Sequence, residues 1–161
     1  VLHFRYCRNM TDAYLYQGAE MNRLFIDELT KFTKDRFDFL CTRVRAAARL
    51  GVKPYKRFTA NPGGVGHGWV KSMYVDSLEP YKIHKVENYS RTLKKNTVIT
   101  RQYIPALVTD NPHLTEDYVI QLEALPEALQ KALLEGNWDV FEGQVFTEWR
   151  NDRTNYKTRK L

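Results

Sequence analysis

The feature that most constrains this chain is an ordered succession. An apolar run ends in two adjacent acids, a helical segment follows, and a strand-like run then ends in a glycine loop. Leu24, Phe25 and Ile26 lead straight into Asp27 and Glu28, and "YKRFTA" leads into "NPGGVGHGWVKS". If residues 22–28 form a buried strand, both carboxylates emerge at its C-terminal end, the edge of an open α/β sheet where ligands bind. An aspartate there can hold Mg2+ directly or through water, because Mg2+ favours carboxylate oxygen and keeps most of its waters. A neighbouring glutamate can orient and deprotonate a water that attacks a phosphoryl group. Periodicity alone favours a different structure: Met21, Leu24, Phe25, Glu28, Leu29 and Phe32 also fit an amphipathic helix. An Asp-Glu pair is common by chance. The order of elements tips the balance toward the strand.

The glycine loop imitates a phosphate-binding loop without being one. Gly63 and Gly68 stand five apart and Lys71-Ser72 follows, but Trp69 and Val70 intervene where the P-loop pattern needs lysine directly after the second glycine. No other stretch of the sequence supplies that pattern.

The remaining pattern alternates strands and helices. "LHFRY", "CRNMTD" and "AYLYQ" read as strand, turn and returning strand, so residues 1–17 are expected to form a hairpin. Thr33 can cap a helix with Phe37, Leu40, Val44 and Ala47 or Ala48 on one face, ended by Gly51. "YKRFTA" is a short strand, residues 69–75 a strand or short helix, and "NTVITRQYIPA" another strand. "DNPHL" is a turn, Thr115 caps a helix to about Leu125, and "PEALQKALLEG" is a helix with Pro126 at its start and Gly136 past its end. The expected fold class is an α/β layered domain with a mainly parallel sheet.

Charge and sulfur narrow the setting. The net charge is +6. Residues 81–103 hold six basic side chains (Lys82, Lys85, Arg91, Lys94, Lys95, Arg101) against the single acid Glu87, and residues 150–161 add a basic tail. Such a surface suits a polyanion, although a merely solvated surface explains charge alone equally well. Cys7 and Cys41 form no disulfide framework or zinc spacing, and the histidines are scattered singly. No apolar run approaches membrane-helix length, and "VLHFRYCRNM" is neither a secretory signal nor a transit peptide. The opening is strand-like and lacks an initiator Met, so the chain is expected to begin inside a domain. Reduced thiols favour a cytosolic setting.

In this order, "YLYQGAEMNRLFIDELTKFT", "TRVRAA", "FTANPGGVGHGWVK", "YIPALVTDNPHL" and "LEALPEALQKALLEGNWDVFEGQVFTEW" resemble the large terminase subunit of tailed bacteriophages, over nearly the whole chain. More narrowly, they resemble the second half of its N-terminal ATPase domain. That subunit joins a P-loop ATPase of the additional-strand class, which pumps DNA into the procapsid, to a nuclease that cuts it. The resemblance implies that "LFIDE" is the Walker B strand, with Asp27 on the Mg2+ side of ATP and Glu28 as the catalytic base. It implies that Thr59-Ala60-Asn61 is the coupling motif, with Thr59 and Asn61 sensing the γ-phosphate and the attacking water. It also implies double-stranded DNA, a portal protein, a small terminase subunit and other copies in a ring as partners, in the host cytoplasm and with no membrane. Residues 1–149 would be the C-terminal portion of the ATPase domain, and residues 150–161 a basic tail or the start of a linker to a nuclease.

The departures shape the expectation. With no Walker A sequence and no nuclease cluster, the chain looks like a fragment that does not hydrolyse ATP alone. Its P-loop strand would belong between the coupling strand and residues 97–104. Lys71, Lys94 and Lys95 are candidate DNA-backbone contacts. Arg43 and Arg45 are candidates for an arginine acting in trans, with a packing or solvated role the stronger reading for each. His67 is read as an exposed loop histidine, and Trp69, Trp138 and Trp149 as packing anchors. The rival reading is a non-enzymatic basic α/β module, a phage-derived remnant that binds nucleic acid or a protein partner.

Overall fold

The computed structural model describes residues 2–45 and 51–139. The chain divides into two compact units, Val1–Pro105 and Ala106–Leu161. The first unit contains helix α1 (Met10–Tyr14), strand β1 (Arg23–Ile26), a 3-10 turn (Leu29–Lys31), helix α2 (Lys34–Cys41) and strand β2 (Tyr55–Phe58). Helix α3 (His67–Val70) follows, widening into a π turn (Lys71–Val75), and then strands β3 (Ile83–Ser90) and β4 (Lys95–Gln102). The second unit has a 3-10 turn (Val108–Asp110) and helices α4 (Glu116–Glu123) and α5 (Glu127–Leu134).

The apolar run before the acids is a strand, not the helix its periodicity favours. Strand β1 pairs in parallel with β2, in the register Arg23–Tyr55, Leu24–Lys56, Phe25–Arg57 and Ile26–Phe58. A parallel pair needs a crossover, and the 3-10 turn and α2 provide it. Helix α2 buries Phe37 and Leu40, and the Phe37 ring meets Phe58 of β2 at 5.1 Å and Trp69 of α3 at 4.8 Å. Leu29, 1% exposed, is buried at the 3-10 turn where the crossover begins.

Several expectations are corrected. The hairpin expected over residues 1–17 does not form among the described residues 2–17: Asn9 starts α1 by accepting from the Asp12 N–H at 2.9 Å, while Asp12 accepts from the Arg8 N–H at 2.7 Å. Those two bonds mark a helix start hidden in what looked like turn chemistry. Helix α2 stops at Cys41 because the chain then turns to bridge Val44 to Met21 in parallel. Ala47 and Ala48 lie outside the described residues.

The sheet is not mainly parallel among the described residues. The strands form two separate two-stranded sheets: the parallel pair β1–β2, and the antiparallel pair β3–β4 running from Ile83–Gln102 to Ser90–Lys95. The strand expected at residues 97–104 thus pairs with β3, an element the sequence pattern did not single out. In the second unit Thr115 and Pro126 stand at the two helix starts and Gly136 takes φ 60° past the end of α5, as the pattern predicted. The tail, residues 150–161, and Trp149 lie outside the described residues.

Burial leaves a titratable mark in the first unit. Desolvation pushes the Tyr74 phenol up to about 12, against the opposing pull of Arg101. Below about pH 10 the phenol is neutral both folded and unfolded. Above it the unfolded chain ionises first, so stability falls as pH rises from about 10 towards 12. Denaturant midpoints measured across that window should drop more for the wild type than for Tyr74→Phe; equal slopes would show that Tyr74 is not desolvated.

Candidate functional site

The parallel register decides where the acids go. Ile26 and Phe58 end their strands side by side, so Asp27-Glu28 and Thr59 leave the same sheet edge together. The Thr59 hydroxyl donates to Asp27 Oδ1, which also accepts the Glu28 N–H at 3.1 Å. Glu28 N–H lies 3.2 Å from Thr59 Oγ1 as well. The backbone continues the contact: Thr59 N–H donates to Ile26 O at 3.0 Å, and Leu29 N–H donates to Thr59 O at 2.8 Å. Asp27, Glu28 and Thr59 are all exposed, so this is an open edge and not a buried polar knot.

Glu28 is the strained member. Its backbone sits at φ 52°, ψ 54°, the left-handed region that a glycine takes more easily. Its carboxylate meets Lys31 Nζ at 2.6 Å, with both side chains more than half exposed (53% and 70%), so that pair restrains it only weakly.

The strain persists because the turn behind it is held at three consecutive carbonyls. Thr30 O accepts from the Gly66 N–H at 2.7 Å, Lys31 O from the Arg36 guanidinium, and Phe32 O from Trp69 Nε1 at 2.9 Å. The Thr30 hydroxyl donates to Asn61 O at 2.9 Å. Arg36 is 5% exposed, lies over the Phe32 ring at 4.3 Å and also donates to Arg8 O. The glycine loop is therefore clamped onto the turn that follows Glu28.

The loop needs glycine here for space. A Cβ on Gly66 would lie 2.4 Å from Phe32 O, 2.8 Å from Trp69 Nε1 and 2.9 Å from Thr30 O, and one on Gly64 would lie 2.7 Å from Thr30 O. His67, expected on an exposed loop, is 6% exposed, and its Nδ1 accepts the Gly63 N–H at 2.9 Å. Buried with its ring turned back onto the loop, it shapes the segment between Asn61 and α3.

The structure thus brings together Asp27, Glu28 and Thr59, with Asn61 tied in through its carbonyl. Other candidates lie elsewhere. Arg43 folds onto Thr42 and Phe39, and Arg45 pairs with Glu20 at 3.7 Å; both flank the Met21–Val44 bridge, at the opposite end of β1 from the acids. Lys71 reaches Asp76 at 3.8 Å, and Lys94 and Lys95 stand where the β3–β4 hairpin turns. Sequence reasoning missed Thr30, Arg36 and Gly66, whose roles depend on contacts across the crossover; only the glycine spacing hinted at a close approach.

The chain matches a family model over residues 1–151: terminase large subunit, T4likevirus-type, N-terminal. It belongs to the terminase large subunits. These are phage DNA-packaging proteins, and the match covers the first compact unit and extends through most of the second. Searches of curated proteins and of solved structures found no match. No helix among the described residues of this terminase chain is long and apolar enough to cross a membrane.

Two stability predictions follow from the geometry. Gly66→Ala should cost about 2 kcal/mol or more in urea unfolding, since overpacking against fixed backbone has no cheap relief. Gly68→Ala, whose Cβ meets nothing within 4 Å, should be neutral or stabilising by up to about 1 kcal/mol. Equal effects would refute the clamp. Glu28→Gly should stabilise by roughly 0.5–1 kcal/mol through relief of the left-handed backbone; a loss of stability on the same assay would remove the strain argument.

Proposed function

We propose that this edge is the hydrolytic centre of an ATP-driven DNA-packaging motor. Asp27 stands on the Mg2+ side of the nucleotide, Glu28 is the general base, and Thr59 with Asn61 forms the coupling segment. The observation that carries the reading is Glu28: a non-glycine residue held in left-handed backbone, next to a carboxylate already oriented by a threonine from the neighbouring strand. Strain of this kind is retained where a side chain has a task that glycine cannot perform.

The donor set fits Mg2+. One oxygen of Asp27 is engaged by Thr59 and Glu28, and the exposed carboxylate keeps its other oxygen for a hard cation. No group of three or more His, Cys, Asp or Glu among the described residues could cage a metal. That suits an ion which keeps several waters and takes further ligands from substrate phosphates. Mg2+ bound there would neutralise charge developing on the phosphoryl oxygens. The chain's own work is positional and basic. Thr59 fixes Asp27, and Glu28 takes a proton from the attacking water. The link from Thr30 to Asn61 ties the turn behind Glu28 to the segment after Thr59, so a change at one is felt at the other.

The fold proposed around this edge is a P-loop NTPase of the additional-strand class. Among the described residues β2 pairs only with β1, which leaves its other edge available for a P-loop strand from outside this sequence. Residues 1–149 would then be the C-terminal portion of such an ATPase domain, with residues 150–161 leading onward. The intact motor would act as a ring of copies with a portal protein and a small subunit, in the host cytoplasm.

This chain alone is expected to show no steady phosphate release from Mg-ATP. Supplying the phosphate-binding half in trans should restore it, and Asp27→Asn should then lower it by about 100-fold or more. Restored release that is indifferent to Asp27→Asn would sink the assignment. Steady release by the unsupplemented chain, lost in Asp27→Asn, would overturn the need for a P-loop from elsewhere.

A further inference from the structure

We infer that the β3–β4 ribbon is the element of this chain that contacts the DNA backbone, through Arg91, Lys94 and Lys95 at its tip. The inference stands apart from the hydrolysis reading and uses none of its residues.

The ribbon is a two-stranded antiparallel pair with eight facing positions, which at about 3.4 Å per residue makes a finger about 27 Å long. Residues 91–96 are exposed without interruption. Across residues 91–95 the chain carries three cations and no acid. None of the three side chains makes a hydrogen bond or ion pair among the described residues, although Lys82 near the base does pair with Glu79 at 2.5 Å. Three cations gathered at one turn repel each other, so the tip costs the isolated fold and is relieved by a polyanion.

Backbone strain points to the same place. Lys94 sits at φ 50°, where glycine or asparagine would turn the chain more easily. A bulky cation there serves no packing purpose, because Lys94 is itself exposed and so is Leu93 beside it.

A protein partner is a poorer match. The ribbon's more exposed face reads Ile83–Gln102, Lys85–Thr100, Glu87–Val98 and Tyr89–Asn96 along its pairs, so Ile83 is set apart by Lys85, Glu87 and Thr100, and only Val98 and Tyr89 are neighbours, on a diagonal. One such pair is far smaller than the apolar patches that mark protein interfaces. A two-stranded ribbon is also narrow enough to enter the major groove of duplex DNA, where its tip can meet phosphates on either side. Contacts to phosphate carry no base readout and are strongly salt-dependent.

The test is binding of the 161-residue chain to a fluorescent mixed-sequence duplex, by anisotropy across a salt titration. The triple variant Arg91→Gln, Lys94→Gln, Lys95→Gln should flatten the slope of log K against log salt by about 2–3. A control that removes equal charge elsewhere, Arg5→Gln, Lys53→Gln, Lys82→Gln, should flatten it by less than about 1. Circular dichroism checks that both variants fold. Lys94→Gly, which suits the backbone, should raise the unfolding midpoint and still flatten the slope by about 1. Equal effects of the two triples, or no change for the tip variant, would overturn the inference. So would a tip variant that keeps its DNA slope but loses self-association in sedimentation, which would make the ribbon a protein contact.

Discussion

The parallel pairing of β1 with β2 is the constraint on which the rest depends. Antiparallel neighbours can be joined by a tight turn, but parallel ones demand a crossover, and this chain spends its 3-10 turn and α2 on it. The crossover returns β2 in step with β1, so Ile26 and Phe58 end together and Asp27 meets Thr59. A shift of one residue would send Thr59 to the other face and leave Asp27 without its donor. The aromatic contacts of Phe37 with Phe58 and Trp69 hold that register from the side.

Behind the acids, backbone polarity does the positioning. A turn that leaves three consecutive carbonyls facing inward must satisfy them, because a buried unpaired carbonyl costs on the order of 1–3 kcal/mol. Here three different segments answer: the glycine loop, α2 and α3. That arrangement couples the Glu28 backbone to the loop after Thr59 without any side chain of the acidic pair being involved. It also accounts for the glycines. Gly66 is needed for closeness, not for an unusual φ, and its neighbour Trp69 supplies both a ring for Phe37 and a donor for Phe32.

Much of this was legible before any coordinates, and the failures have physical causes. The order of acids, helix, "TAN" and glycine loop pointed to a strand ending at Asp27 and Glu28, because ligand-binding strand tips converge at one edge of an α/β sheet, whereas Thr59 entered through the family resemblance. Helical periodicity at residues 21–32 was misleading, since four residues are too few for a strand to declare its own period. Residues 1–17 misled for the opposite reason: alternation in "LHFRY" suggested a strand, while Asn9 and Asp12 were already a helix start. Strand β3 escaped notice because none of its residues is fully buried: one face is exposed and the other mostly half-buried by His84, Val86 and Ser90, so "IHKVENYS" shows little apolar contrast between its faces. Arg36 and Thr30 could not be found by spacing, because they bond across the crossover to carbonyls, and carbonyls carry no residue signature.

What distinguishes a hydrolytic edge from a merely well-ordered one is a base whose removal spares binding. In the domain reassembled with its phosphate-binding half, Glu28→Gln keeps the shape and the Thr59 and Asp27 contacts but removes the proton acceptor. The account predicts that Mg-ATP affinity stays within about threefold while single-turnover hydrolysis falls by about 100- to 10,000-fold. Unchanged hydrolysis, or binding and hydrolysis lost in parallel, would contradict it.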